Sequence, residues 1–208
     1  MSRASETTTD PSMDASLIVP LASIVERLDP PKLFPHAQLL EVELGSGDGS
    51  FLIRWAGLNP EKNFIGVERL LGRLRKIDRK GRRAGLQNLR IVRIEAAYFL
   101  EFLLPKKAAS AVHVYFPDPW PKRKHWKHRL INSRFTELAK EVLQPGGVIY
   151  LRTDDANYFS QMTTVFAANP HFEKVETSEA LASVLTDFER NFLARGVQTL
   201  RAAYRLKN

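Results

Sequence analysis

The chain has 208 residues, with 31 Lys and Arg against 23 Asp and Glu, a formal net charge of +8, and no cysteine. That length suits one domain with a core large enough to stand without a staple, and the missing thiols exclude a disulfide framework, a Cys-ligated metal or cluster and a thiol nucleophile. With 44% hydrophobic and 26% charged residues, the composition is that of a globular protein and not of a disordered or membrane-spanning one.

Residues 1–16, rich in Ser, Thr and Asp, are expected to form a mobile tail before a single domain over 17–208. The apolar run 17–25 contains Pro20 and follows Asp10 and Asp14, where a signal peptide carries Lys or Arg; no export is expected, and a cytoplasmic location follows. From residue 39 onward, apolar runs read as buried strands at 39–44, 63–67, 89–94, 111–116 and 148–151. They alternate with helical patterns at 50–58, 70–84, 97–104, 131–143 and 158–168. Pro145-Gly146-Gly147 predicts a tight turn between a helix and the fifth strand, and the runs 171–175 and 199–206 predict edge or antiparallel strands. The sum is an α/β single domain: a mostly parallel, seven-stranded sheet with helices on both faces. Ligands of such sheets bind beyond the carboxyl ends of the strands.

The informative residues stand at those ends. Glu43-Leu44-Gly45-Ser46-Gly47-Asp48-Gly49 follows the first strand, so bare backbone can approach a ligand at a helix start. Its G-x-G-x-G spacing is tighter than that of the dinucleotide fingerprint, and a carboxylate at Glu43 repels a pyrophosphate but suits an ammonium or sulfonium. Glu68 after the second strand can accept two ribose hydroxyls, and Glu95 follows the third strand, within reach of an adenine. Each acid alone is as readily a strand-end cap; together with the loop they point to S-adenosylmethionine and not to NAD. After the fourth strand, three prolines in Phe116-Pro117-Asp118-Pro119-Trp120-Pro121-Lys122 hold Asp118 and Trp120 in a stiff, extended backbone.

Charge is unevenly spread. Ten basic residues and one acid, Asp78, lie between Arg69 and Arg93, and Lys122 to Arg129 hold five Lys or Arg and two His. A solvated helix face is the plain reading of either cluster, but two clusters nearly free of acids repel themselves unless a polyanion is bound, which points to nucleic acid and not to a membrane. His125 and His128 lack further ligands nearby, so no metal site is expected.

Taken in order, the glycine loop, Glu68 after Phe64-Ile65-Gly66-Val67, the Pro-rich stretch, Thr153-Asp154 and Thr186-Asp187-Phe188-Glu189 resemble the bacterial tRNA (guanine-N7)-methyltransferase family from about residue 33 to 206. The resemblance implies a class I methyltransferase (Rossmann-like) fold that binds S-adenosylmethionine through Glu43, Gly45, Gly47, Gly49, Glu68, Glu95, Ala96 and Asp118. It implies Asp118 as the catalytic position and Lys122, Asp154, Thr186, Asp187, Phe188 and Glu189 as substrate positions; the second basic cluster separately offers Arg123, Lys124, His125 and Arg129 to RNA phosphates. Glu95 departs from the Asp usual in the family at that position. The implied reaction is methyl transfer to N7 of a guanine in the tRNA variable loop, by a monomer or homodimer that binds neither DNA nor membrane. Trp120 or Tyr115 is the candidate to stack on the target base. The alternatives are a methyltransferase acting on another RNA or base atom and a non-catalytic RNA-binding protein of the same fold.

Overall fold

The computed structural model describes residues 16–208; the expected tail over 1–16 lies outside the described residues except for Ser16. Among the described residues seven strands, β1 (Leu39–Leu44), β2 (Lys62–Val67), β3 (Leu89–Val92), β4 (Ala109–Tyr115), β5 (Leu143–Thr153), β6 (Phe172–Val175) and β7 (Leu200–Leu206), form one sheet. Their order is β3-β2-β1-β4-β5-β7-β6, with β7 antiparallel to both its neighbours and the first five strands parallel. Within the sheet the path starts at β1, runs outward to β3 and then crosses to β4, so the order reverses between β1 and β4, where open α/β sheets bind ligands. Leu44 pairs with Val67 on one side and Val114 on the other, so three strands end level at that point.

The period of two in β1 sorts its residues onto two different faces. Leu40, Val42 and Leu44 enter an apolar core of aliphatic and aromatic side chains closed by α5 (Ser133–Val142), α6 (Ala156–Ala167) and the segment after α4 (Ala96–Tyr98). Glu41 and Glu43 point the other way, toward α2 (Ser50–Leu58) and α3 (Leu71–Arg83), and on that face the neighbouring strands contribute His113, Tyr115 and Arg152. Glu41 Oε2 accepts from Trp55 Nε1 at 2.8 Å and from His113 Nε2 at 2.9 Å, while Oε1 takes Lys62 Nζ at 2.7 Å. His113 Nδ1 lies 2.8 Å from the Tyr115 hydroxyl, which fixes a polar ladder inside the sheet. Burial lowers the His113 pKa, so the neutral ring donates to Glu41 and accepts from Tyr115.

Several boundaries differ from the sequence reading for local reasons. The helix expected at 97–104 is α4 followed by a π-helical turn, Phe99–Leu103. Leu143 already pairs with Ala109, and Pro145-Gly146-Gly147 bulges out of β5 between that pair and Val148 opposite Ala111; the expected turn is therefore a bulge within the strand. The run 17–25 opens by bridging the β3 edge, Ile18 against Ile91, with Leu17 packed close to Gly81. Short helices not expected from the sequence are α1 (Pro30–Leu33), α7 (Glu179–Ser183), α8 (Asp187–Leu193) and a 3-10 helix, Arg123–His128.

Candidate functional site

At the carboxyl ends of β1, β2 and β4 opens a cavity of about 520 Å³. The glycine loop forms one wall. Gly45 and Ser46 N–H donate to Val67 O at 2.9 and 3.0 Å, and Gly47 N–H donates to Glu68 Oε2 at 3.0 Å, so the loop is pinned to the end of β2. Glu68 Oε1 also accepts Leu70 N–H at 2.8 Å; each oxygen keeps lone-pair capacity for a ligand hydroxyl. Gly45 and Gly47 have φ of +78° and +58°, and nothing lies within 4 Å of the place a Cβ would take. Gly49 serves differently: it is absent from the cavity wall, and a Cβ there would meet Ile77 and Ile53 at 3.0–3.1 Å, so it lets α2 start tight against α3.

Glu43 is the singular group of this wall. It is 4% exposed, and its Oε2 has no hydrogen-bond partner among the described residues. Burial pushes its pKa up to about 8, against the opposing pull of Ser46 and Arg152. Beside it Asp48 resists the cost of its partial burial through Lys80, whose Nζ lies 2.8 Å away, and its pKa falls to about 2. Across the cavity Glu95 is the N-cap of α4, accepting from Ala97 N–H at 3.0 Å and Tyr98 N–H at 2.8 Å, with Ala96 next to it in the wall.

Asp118 lies exposed on a ledge above the cavity whose backbone is strained on both sides. Phe116 and Trp120 have φ of 50° and 45°, a left-handed conformation that costs about 1–3 kcal/mol per non-glycine residue. Three contacts hold it: Phe116 N–H to Arg152 O at 2.8 Å, Trp120 N–H to Asp118 Oδ1 at 3.0 Å, and Arg129 Nε to Pro119 O at 2.7 Å. This last contact corrects an expectation. Arg129 was expected among the RNA phosphate contacts, yet it is 2% exposed, its remaining nitrogens bind Gln161 and Asn157 on α6, and its plane lies over Trp126 and Tyr158. It is a brace for the ledge and is removed from the basic surface.

Helix α8 forms a further part of the rim, its Phe188 ring 6.1 Å from Phe116 of the ledge. Thr186 and Glu189 form a capping box: Thr186 Oγ1 accepts Glu189 N–H at 3.0 Å, and Glu189 Oε2 accepts Thr186 N–H at 2.9 Å. Glu189 is fully buried, and its carboxylate also takes Arg152 Nη1 at 2.8 Å and Arg201 Nη2 at 2.9 Å. Arg152 further donates to Val184 O and Leu181 O and lies over the Tyr115 ring at 4.2 Å, which ties α7 and α8 to the polar ladder of the sheet.

Of the residues expected in a site, the cavity wall thus unites Glu43, Gly45, Gly47, Glu68, Glu95, Ala96, Asp118, Thr186 and Phe188. Gly49, Lys122, Asp154, Asp187 and Glu189 are not part of it. Lys122, Arg123, Lys124 and Asp154 are exposed, His125 is half-buried, and Asp187 N–H is bonded to Ser50 Oγ at 3.0 Å. Sequence reasoning missed Arg69, Arg73 and His128 as wall residues, and Arg152 as the hub behind it. A signal for Arg152 existed: a charged side chain ending the apolar run Val148-Ile149-Tyr150-Leu151. Among the described residues no group of three or more His, Asp and Glu is placed to hold a metal ion, and no helix is long and apolar enough to cross a membrane.

The strand order with one antiparallel strand, and a glycine loop with acids at successive strand ends, define a class I methyltransferase. Solved structures share this architecture: a 16S rRNA methyltransferase, KamB, has a TM-score of 0.62 at 16% identity, over 88% of this chain and 95% of that one, a likeness of fold. Residues 37–202 match a family profile described as "Putative methyltransferase". A tRNA (guanine-N(7)-)-methyltransferase of Halorhodospira halophila is 34% identical over 188 residues, 84% of this chain and 78% of that protein. Its counterpart in Syntrophotalea carbinolica is 33% identical over 178 residues, 84% and 77% of the two chains. The chain belongs to the tRNA (guanine-N7)-methyltransferase family.

The methyl donor of such an enzyme is S-adenosylmethionine, and the cavity fits it. An orphaned buried carboxylate oxygen at Glu43 suits a cationic group, the open glycine backbone leaves room for close approach, and Glu68 has acceptor capacity for ribose hydroxyls.

Proposed function

We propose that this protein methylates N7 of a guanine in the variable loop of tRNA, in the cytoplasm. The observation that carries the reading is Asp118, a carboxylate held on a strained ledge over the same cavity that Glu43 and Glu68 line. The names of the relatives support the choice of substrate. S-adenosylmethionine supplies an electrophilic methyl group on a sulfonium. Guanine N7 offers a lone pair and no proton, so the protein must act through position and electrostatics. As N7 gains positive charge, the N1–H and exocyclic N–H groups of the base become stronger donors, and Asp118 against that edge binds the transition state more tightly than the ground state.

Glu43 faces the cationic end of the cofactor, Glu68 the ribose, and Glu95 with Ala96 the adenine side. Trp120, half-buried, and Phe188, 53% exposed and 6.1 Å from the Phe116 ring, line the cavity and offer faces to an unstacked base. Tyr115 is engaged with His113 and is left as a support. Lys122, Asp154 and the 186–189 segment meet the RNA, with Glu189 acting through the α8 helix that it holds. Arg123, Lys124 and His125 meet phosphates on one side of the cavity, and Arg69 and Arg73 do so on the other. The test is single-turnover methylation of an unmodified tRNA transcript, followed by nuclease digestion and mass spectrometry of the nucleosides. The expected product is 7-methylguanosine; methylation of any other base or atom overturns the assignment.

A further inference from the structure

Glu43 is a buried acid with an unused oxygen on the wall of a cavity, and that combination poses a physical problem. A carboxylate this far from water is unfavourable unless paired. The charged and titratable groups that face it are Arg152 on β5, Tyr115 on β4, and Asp48 and Glu68 on the loops after β1 and β2. Only Arg152 among them is cationic, and its hydrogen bonds go to Glu189, Val184 O and Leu181 O. Asp48 and Glu68 add repulsion. Without a cationic ligand these surroundings favour the neutral acid, and a cation entering the cavity reverses the preference.

We propose that Glu43 is a proton-exchanging counter-ion: it holds a proton while the cavity is free of cofactor and releases it to solvent when the positively charged methionine end of S-adenosylmethionine takes the proton's place. The exchange balances, since one O–H bond of Glu43 breaks, the proton leaves to solvent, and the carboxylate so formed pairs with a cationic ligand group, with no change in the charge of the cavity. The raised pKa of Glu43 agrees with this order of events: burial pushes it up to about 8, so the protonated acid predominates at pH 7. The inference deepens the reading of the cofactor site. It is tested without RNA, so its failure leaves the choice of base untouched.

The experiment is calorimetric titration of the full-length protein with S-adenosylmethionine at pH 7 in two buffers of different ionisation enthalpy. Close to one proton is expected to leave per cofactor bound, and the association constant should rise about tenfold between pH 6 and pH 7. The probe 5′-methylthioadenosine, which carries the adenosine and the thioether but neither the ammonium nor the sulfonium, should bind without releasing a proton. Glu43→Gln should bind S-adenosylmethionine with no proton release and with an affinity flat over the same interval. An infrared difference spectrum of the wild type offers a reading that needs no variant: the C=O stretch of a protonated carboxyl should vanish when S-adenosylmethionine is added. Equal heats in the two buffers, or proton release that persists in folded Glu43→Gln, would overturn the proposal.

Discussion

Two carboxylates on one cavity are held in opposite ways. Glu43 is buried with an unsatisfied oxygen, whereas Asp118 is exposed and fixed by a strained turn. The first environment favours a neutral acid awaiting a cation, and the second holds a solvent-exposed carboxyl group in a set place. A fixed, charged Asp118 is what an electrostatic role in methyl transfer requires. Asp118→Asn keeps the size of the side chain and an oxygen for Trp120 N–H, but removes the charge. Single-turnover methylation should fall by about 10²–10³, the scale of removing one preorganised electrostatic group, while much of the S-adenosylmethionine affinity is kept. A turnover near normal would take Asp118 out of the chemistry. The acids and glycines of this site were legible because each stands within a few residues of a strand end. Arg129 was misjudged because the neighbours that bury it, Asn157, Tyr158 and Gln161, lie about 30 residues away on α6, where sequence spacing carries no trace of them.

Helix α8 shows how one segment reads differently as a motif and as an element. Thr186-Asp187-Phe188-Glu189 has the Thr-x-x-Glu pattern of a capping box, and its first function is to start a seven-residue helix too short to stand on propensity. What secures that helix is the Glu189 carboxylate between Arg152 and Arg201, a buried charge cluster joining β5, β7 and α8. Glu189→Gln should leave two cations short of their counter-charge and cost roughly 3–5 kcal/mol in urea denaturation. Thr186→Ala, which loses only a cap, should cost about 1 kcal/mol. If Glu189 were a direct substrate contact and nothing more, its replacement would raise the KM for tRNA at unchanged stability. The helix itself went unseen in the sequence because a period of 3.6 does not declare itself over seven residues, and the Arg152–Glu189 pair spans 37 positions. Strands and longer helices were legible for the converse reason, since the strands carry apolar runs such as Phe64-Ile65-Gly66-Val67 and Val148-Ile149-Tyr150-Leu151, separated by segments with glycine or proline.

The whole molecule presents its cavity between two basic flanks. Arg69 and Arg73, at the head of α3, line one side, and His128, at the end of the 3-10 helix Arg123–His128, lines the other. In the proposed function such flanks draw a polyanion across the opening, while the aromatic rim and Asp118 face the base that is turned inward. RNA binding and methyl acceptance are thereby assigned to different atoms of the substrate: phosphates to the flanks, a purine nitrogen to the cavity. A tRNA transcript made with 7-deazaguanosine in place of guanosine separates the two, because it keeps every phosphate and the Watson–Crick edge of each base but carries C–H where N7 stood. We expect this transcript to bind as tightly as the guanosine transcript and to accept no methyl group from S-adenosylmethionine; methylation of the deaza transcript at a comparable rate would contradict the assignment of N7 as the acceptor.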